Sequence, residues 1–156
     1  MSDEAKAIYQ DVLDGVTNAY LRGDWAAYKE LLVLPQRFGT FDGTLSFETE
    51  ETLKVMFERY CEMLKQLQVR ELVRLCDSAV FRKDGSIEGT HISHFLRNGQ
   101  PVTDSYPAKS FLERRDGRWK VVSSENAIDR TSMPFSAFNC VNLEDQYSHK
   151  RPGTSE

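Results

Sequence analysis

Apolar side chains recur every three or four residues in the first part of the chain and about every second residue in most of the remainder. Ile8, Val12, Leu13, Val16, Ala19 and Tyr20 form one stripe, which predicts an amphipathic helix stopped by Gly23. Asp24 reads as the N-cap of a second, shorter helix bearing Trp25, Tyr28, Leu31 and Leu32, with Pro35 as its end. A small hairpin over 38–47 is expected to turn at Asp42-Gly43. Thr49-Glu50-Glu51 opens a third helix, its acidic groups in the first turn where the helix dipole favours them. The apolar face of that helix is Leu53, Met56, Phe57, Tyr60, Cys61, Leu64 and Leu67.

After Gln68 the period shortens toward two, predicting strands at 69–82, 87–97, 102–115 and 118–126. The dipeptides Asp84-Gly85, Asn98-Gly99 and Asp116-Gly117 separate them. Asx-Gly suits a type I′ turn, which needs φ > 0 at both central residues, so an antiparallel meander is expected after the helices. Residues 129–156 have no clear period; Phe135, Phe138 and Tyr147 point to partial docking, and the end from Lys150 reads as disordered.

Helices followed by a long curved meander resemble the nuclear transport factor 2-like superfamily, specifically its SnoaL-like branch. The resemblance is carried by Tyr20-Leu21-Arg22-Gly23-Asp24-Trp25 and by the hairpin Asp116-Gly117-Arg118-Trp119-Lys120-Val121-Val122, and it spans residues 5–128. It implies an α+β, cystatin-like cone, in which three N-terminal helices pack on a strongly bent mixed or antiparallel sheet and leave a pocket at the open end. Residues 1–128 then form the domain and 129–156 a C-terminal extension.

The turns also fix registers. With Asp116-Gly117 as a two-residue loop, Trp119, Val121, Ser123 and Glu125 face inward with Arg114, Leu112, Ser110 and Ala108. This face is taken as inner because Trp119 is the largest apolar group available to meet the helices. The other face carries Phe111 and Val122 beside Lys120 and Glu113, and reads as exposed sheet or as a homodimer surface. A two-residue loop at Asn98-Gly99 sets Tyr106 opposite His91 and Asp104 opposite Ser93, leaving His91 and Asp104 diagonal, with Cα atoms roughly 7–8 Å apart. A three-residue loop at Asp84-Gly85 puts Asp77 opposite His91 and turns Phe81, Ala79 and Leu75 inward; a two-residue loop puts Ser78 there instead. The three-residue loop is preferred because it turns Phe81 and Ile87 inward and Arg82 outward.

Candidate chemistry follows from that face. His91 is the candidate general acid/base, oriented by Asp104 or Asp77, with Tyr106 or Ser123 holding a substrate's polar group. Ser110, Leu112, Trp119 and Val121 line the sheet side; Met56 and Tyr60 from the third helix and Trp25 or Tyr28 from the second complete the pocket. SnoaL-like isomerases and cyclases resemble this in using a His or Asp on the sheet. Two readings stand: a cofactor-independent isomerase, cyclase, dehydratase or hydrolase acting by proton transfer on a small apolar substrate, or a non-catalytic ligand-binding or dimeric structural module.

Composition narrows this further. A net charge of −4 with no run of Lys or Arg argues against nucleic acid. The acidic, amphipathic start lacks an apolar h-region, and no apolar run approaches the ~18 residues of a membrane span, so a cytoplasmic protein without a signal peptide is expected. Cys61, Cys76 and Cys140 share no ligand spacing and read as free thiols. His94 has the outward parity and His149 lies in the tail, so no metal site is expected. Glycines sit singly at turns rather than in a phosphate loop, and no elbow motif presents a Ser nucleophile.

Overall fold

The computed structural model describes residues 2–140. Helix α1 (Asp3–Arg22) begins at Ser2, whose hydroxyl accepts the Ala5 N–H at 3.1 Å. It ends at Gly23, with φ 66°, a left-handed conformation that glycine adopts without a Cβ clash. The Asp24 carboxylate accepts the Ala27 N–H at 3.1 Å and opens α2 (Trp25–Lys29). This helix stops well before Pro35. Leu32 and the residues after it form β1 (Leu32–Thr40), because pairing with a distant strand outweighs helical spacing: the Val121 N–H donates to the Leu31 carbonyl at 2.8 Å. β2 (Gly43–Phe47) returns along β1. α3 (Glu50–Gln66) is closed at its start by a reciprocal cap between Thr49 and Thr52.

The remaining strands are β3 (Glu71–Phe81), β4 (Ile87–Arg97), β5 (Gln100–Pro101), β6 (Tyr106–Arg115) and β7 (Arg118–Asn126). The sheet order is β2-β1-β7-β6-β4-β3, with β5 beside β4; the β1–β7 pair is parallel and the other pairs antiparallel. Three helices packed on this open, mixed sheet make the α+β cone that the resemblance implies. Asn98 and Gly99 take φ 53° and 76°, and Asp116 and Gly117 take 55° and 75°, the left-handed pairs of tight two-residue turns. At Asp84 the preferred three-residue loop forms: the Arg82 N–H donates to the Ser86 carbonyl at 2.7 Å, and Phe81 pairs with Ile87.

Besides the irregular β1–β7 pairing between Leu32 and Arg37, two antiparallel registers depart from strict alternation, and each turns the rest of its strand over. In β3, Ser78 pairs with Thr90 but Cys76 pairs with His91, so Asp77 is an extra residue. In β7, Phe111 pairs with Ser123 but Leu112 with Val121, so Val122 is extra. Such bulges bend a strand and flip the parity beyond them. Ala79 therefore faces in as expected, but Leu75 faces out with 66% exposure and Arg74 takes the inner side. A further departure is an insertion: the Asn98-Gly99 turn closes as expected and the Val102 N–H still reaches the Phe95 carbonyl at 2.9 Å, then 103–105 leave the ladder, and pairing resumes with Ser93 opposite Tyr106 and Ala108 opposite His91.

The core runs between α1, α3 and the inner face of the sheet. At its centre the Tyr9 ring occupies the space that a Cβ on Gly89 would need. Beyond β7 a 3-10 helix (Phe135–Cys140) brings the buried Phe135 ring to 6.3 Å from Phe38 and 6.0 Å from Tyr106, closing that end of the cone. The expectations on Tyr147, His149 and the end from Lys150, and on the side chains of Phe138 and Cys140, fall outside the described residues.

Gly89→Ala should force Tyr9 off the sheet and cost about 1–3 kcal/mol, read as a lower urea midpoint with an unchanged slope. A loss below about 0.5 kcal/mol, ordinary for a surface site, would contradict this packing.

Candidate functional site

A cavity of about 60 Å³ lies between α1 and the inner face of the sheet, several times the ~10–15 Å³ that one water requires. Its apolar wall is Val12, Leu13 and Val16 from α1, Leu32 and Phe38 from β1, Leu112 from β6 and Val121 from β7. Its polar side is Tyr9, Arg74, His91, Ser110, Ser124 and Asn126, with Tyr20 and Tyr28 completing it. Helix spacing places Tyr9 above Leu13 and Val16 on one stripe. The bulge at Asp77 brings Arg74 onto the inner face, and the bulge at Val122 brings Ser124 and Asn126 there.

His91 is 2% exposed and joins this polar side into a chain. Its Nδ1 lies 2.8 Å from the Tyr9 hydroxyl and its Nε2 3.5 Å from an Arg74 Nη, while the other Nη of Arg74 donates to the Thr17 hydroxyl at 3.3 Å. A guanidinium only donates, so Nε2 is the bare, accepting nitrogen and Nδ1–H donates to Tyr9. Ser110 also donates toward the Tyr9 oxygen, a bond that by itself favours the phenolate, so the Tyr9 proton is left for another acceptor. Behind Tyr9, the Tyr20 and Tyr28 hydroxyls share a hydrogen bond of 2.8 Å, and the Tyr20 ring lies 4.0 Å from that of Tyr60.

Burial holds the phenols and the imidazole around Arg74 neutral. Burial, aided by the Arg74 charge, pushes the His91 imidazole down to about 3. Burial pushes the Tyr9 and Tyr106 phenols up to about 12 and those of Tyr20, Tyr28 and Tyr60 well above their usual range. The cavity therefore carries one positive charge, on Arg74, among neutral donors and acceptors.

Several expected partners do not come together. Asp104 is exposed in the segment between β5 and β6, displaced by the two-residue shift in pairing, and Asp77 is exposed on its bulge; neither carboxylate orients His91. Tyr106 is inward but stacks on Phe95, with ring centroids 6.2 Å apart, and its hydroxyl meets Ser93 rather than the cavity. Ser123 is turned to the outer face beside Phe111 and Val122. Met56 and Tyr60 are core residues, Trp25 packs on Tyr28 and Phe57, and Trp119 meets Phe81; none of the four lines the cavity. Tyr28, His91, Ser110, Leu112 and Val121 do line it.

Tyr9, Tyr20, Arg74, Ser124 and Asn126 line it as well, beyond the pocket residues expected from the sequence. Tyr9 has a signal in the sequence, because Tyr9, Leu13, Val16 and Tyr20 share helical spacing. The other groups on β3 and β7 depend on bulges that leave no mark in an apolar/polar pattern. Among the described residues, no three His, Cys, Asp or Glu side chains converge as metal ligands would, and no helix is long and apolar enough to cross a membrane.

No protein-family model matches the sequence, and neither does any curated protein. Solved structures do. Aln2 from a Streptomyces species is similar at TM-score 0.64 and 12% identity, over 83% of this chain and 94% of that one. A protein of unknown function with a cystatin-like fold from Nostoc punctiforme is similar at TM-score 0.59 and 13% identity, over 85% and 97%. An NTF-2 like protein of unknown function from Shewanella oneidensis is similar at TM-score 0.58 and 12% identity, over 78% and 97%. At these identities the likeness is one of fold: nuclear transport factor 2-like, also described as cystatin-like.

The depressed His91 gives a pH signature. Its folded value of about 3 lies below the ordinary 6.5, so between these values the unfolded chain binds a proton that the folded chain refuses. The stability from keeping His91 neutral is complete above 6.5 and is lost as the pH falls toward 3. Between pH 6 and 5 the wild type should lose up to about 1.4 kcal/mol per pH unit from this group, and His91→Gln should flatten that slope in urea titrations. An unchanged slope in the variant would contradict the assignment.

Proposed function

We propose that this chain of nuclear transport factor 2-like fold is a small-molecule binding protein of the SnoaL-like kind, its ligand seated in the cavity between α1 and the sheet. The supporting observation is the division of that cavity into an aliphatic wall and a face of polar groups. A small molecule with an apolar body and one polar end matches such a lining.

Binding is favoured here over acid/base catalysis. A general base works best with a pKa near the operating pH, and an imidazole held at about 3 is a weak proton acceptor. The partners of its ring are a phenol and a guanidinium, neither of which raises its basicity as a carboxylate would. Phe135 occupies the end of the cone where the acid/base reading needs Tyr106 to meet substrate.

The ligand-site reading is tested by methyl NMR of the full chain during titration with short aliphatic probes. Signals from Val12, Leu13, Leu112 and Val121 should move together and saturate, while those of the exposed Val55 stay put. Shifts confined to surface methyls would contradict it.

A homodimer through the outer sheet face belongs to the same reading. Leu75, Ile92 and Pro107 pair side by side across β3, β4 and β6, and Leu75 and Ile92 are 66% and 42% exposed. Phe111 is the weaker contributor, being half-buried with the Arg82 guanidinium 5.5 Å from its ring. An open groove of about 590 Å³, lined in part by Phe41, Thr90, Lys109 and Glu125, continues this surface. An exposed apolar row across this face offers a self-complementary patch for a two-fold pair. Light scattering should give a dimer at micromolar concentration and a monomer for Ile92→Glu, which would bury an unpaired charge. A wild-type monomer would refute this part.

A further inference from the structure

Arg74 is half-buried and faces the cavity, yet it takes part in none of the ion pairs among the described residues. Its guanidinium meets two neutral groups, the Thr17 hydroxyl at 3.3 Å and His91 Nε2 at 3.5 Å. Both contacts are long for a charged donor, which forms its stronger bonds at about 2.7–2.9 Å. The carboxylates of the adjoining α1 do not serve it: Asp11 and Asp14 are exposed, and Asp14 accepts the Gln10 amide at 2.9 Å. The two acids of β3, Glu71 and Asp77, each three residues from Arg74, are both exposed, Asp77 on its bulge.

A guanidinium placed against an apolar cavity without a counter-charge incurs a desolvation cost that neutral partners offset only in part. The Tyr9 and Ser124 hydroxyls, which share the cavity with it, can each donate a hydrogen bond to an anion. The apolar wall of Val12, Leu13, Val16, Leu112 and Val121 stands beside this polar cluster. One fixed positive charge among neutral groups matches a single negative charge. A dianion would bring a second charge with nothing to meet it.

We propose that the cavity takes a small monocarboxylate, its carboxylate paired with the Arg74 fork and its short apolar body against the aliphatic wall. The inference rests on reading the cavity as a ligand site and adds the chemical class of the ligand. The planar guanidinium offers two parallel N–H donors to the two carboxylate oxygens, a geometry that a lysine or a neutral amide cannot supply. Tyr9 and Ser124 complete the acceptor sites on the same carboxylate. With the Arg74 charge neutralised, the imidazole of His91 loses one of the two causes that hold it deprotonated. Bound carboxylate therefore makes His91 easier to protonate.

The test is calorimetric titration of the full chain with acetate, propionate and butyrate, each beside its neutral counterpart acetamide, propionamide or butyramide, sizes in keeping with a cavity of about 60 Å³. At least one carboxylate should bind about tenfold or more tightly than its amide, since a charged bidentate pair replaces a neutral contact. Arg74→Gln should abolish that preference while the amide still binds. The wild-type comparison alone decides the matter should the variant fail to fold. Equal affinity within every pair, or a carboxylate preference that survives in Arg74→Gln, overturns the assignment and leaves the ligand cavity standing. If no carboxylate and no amide binds, both the assignment and the cavity reading fall.

Discussion

A β-strand shows alternate side chains to alternate faces, and it can exchange faces only by gaining or losing a residue. The antiparallel ladders of this sheet gain one residue in each of two strands, at Asp77 in β3 and at Val122 in β7. Both insertions curve the sheet around the helices, and both rotate polar groups toward them. Without the first, Leu75 would fill the inner face where Arg74 now stands. Without the second, Ser123 and Glu125 would replace Ser124 and Asn126, and a carboxylate would enter the cavity. The bulges thus set both the shape of the cone and the charge inside it.

Tyr9 ties this arrangement to the helical layer. Its ring lies on Gly89, the residue of β4 that can leave space for it, and its hydroxyl holds His91 Nδ1 at 2.8 Å. A phenol pushed up to about 12 and an imidazole pushed down to about 3 both stay neutral at physiological pH. The polar network is therefore stable without a counter-ion of its own, and the Arg74 charge is the one that remains to be met. The same neutrality makes His91 a poor proton acceptor and a good fixed hydrogen-bonding group.

Much of the fold was legible because its signals are local. Helix starts at Asp24 and Thr49, the stop at Gly23, and the left-handed turns at Asn98-Gly99 and Asp116-Gly117 each depend on residues within a few positions. The candidate site was less legible because it depends on registers that accumulate over distance. Tyr28, His91, Ser110, Leu112 and Val121 line the cavity as expected, but the carboxylates expected beside His91 do not reach it. One inserted residue, or a two-residue shift of register over 103–105, is invisible to a count from the nearest turn. The strand at Leu32 escapes the pattern for a related reason: its parallel partner β7 is remote in sequence, Leu32 pairing with Val121, and the local spacing of Trp25, Tyr28 and Leu32 is helical.

The chemistry of the cavity turns on His91 being a neutral imidazole with its proton on Nδ1, set by Tyr9 on one side and the Arg74 charge on the other. Nitrogen-15 NMR of the imidazole, recorded on the full chain without ligand from pH 7 to pH 5, tests this directly. The expected result is a protonated Nδ1 and a bare Nε2 for His91 throughout that range, with no titration. A His91 that carries its proton on Nε2, or that becomes imidazolium near its ordinary pKa of about 6.5, would contradict it.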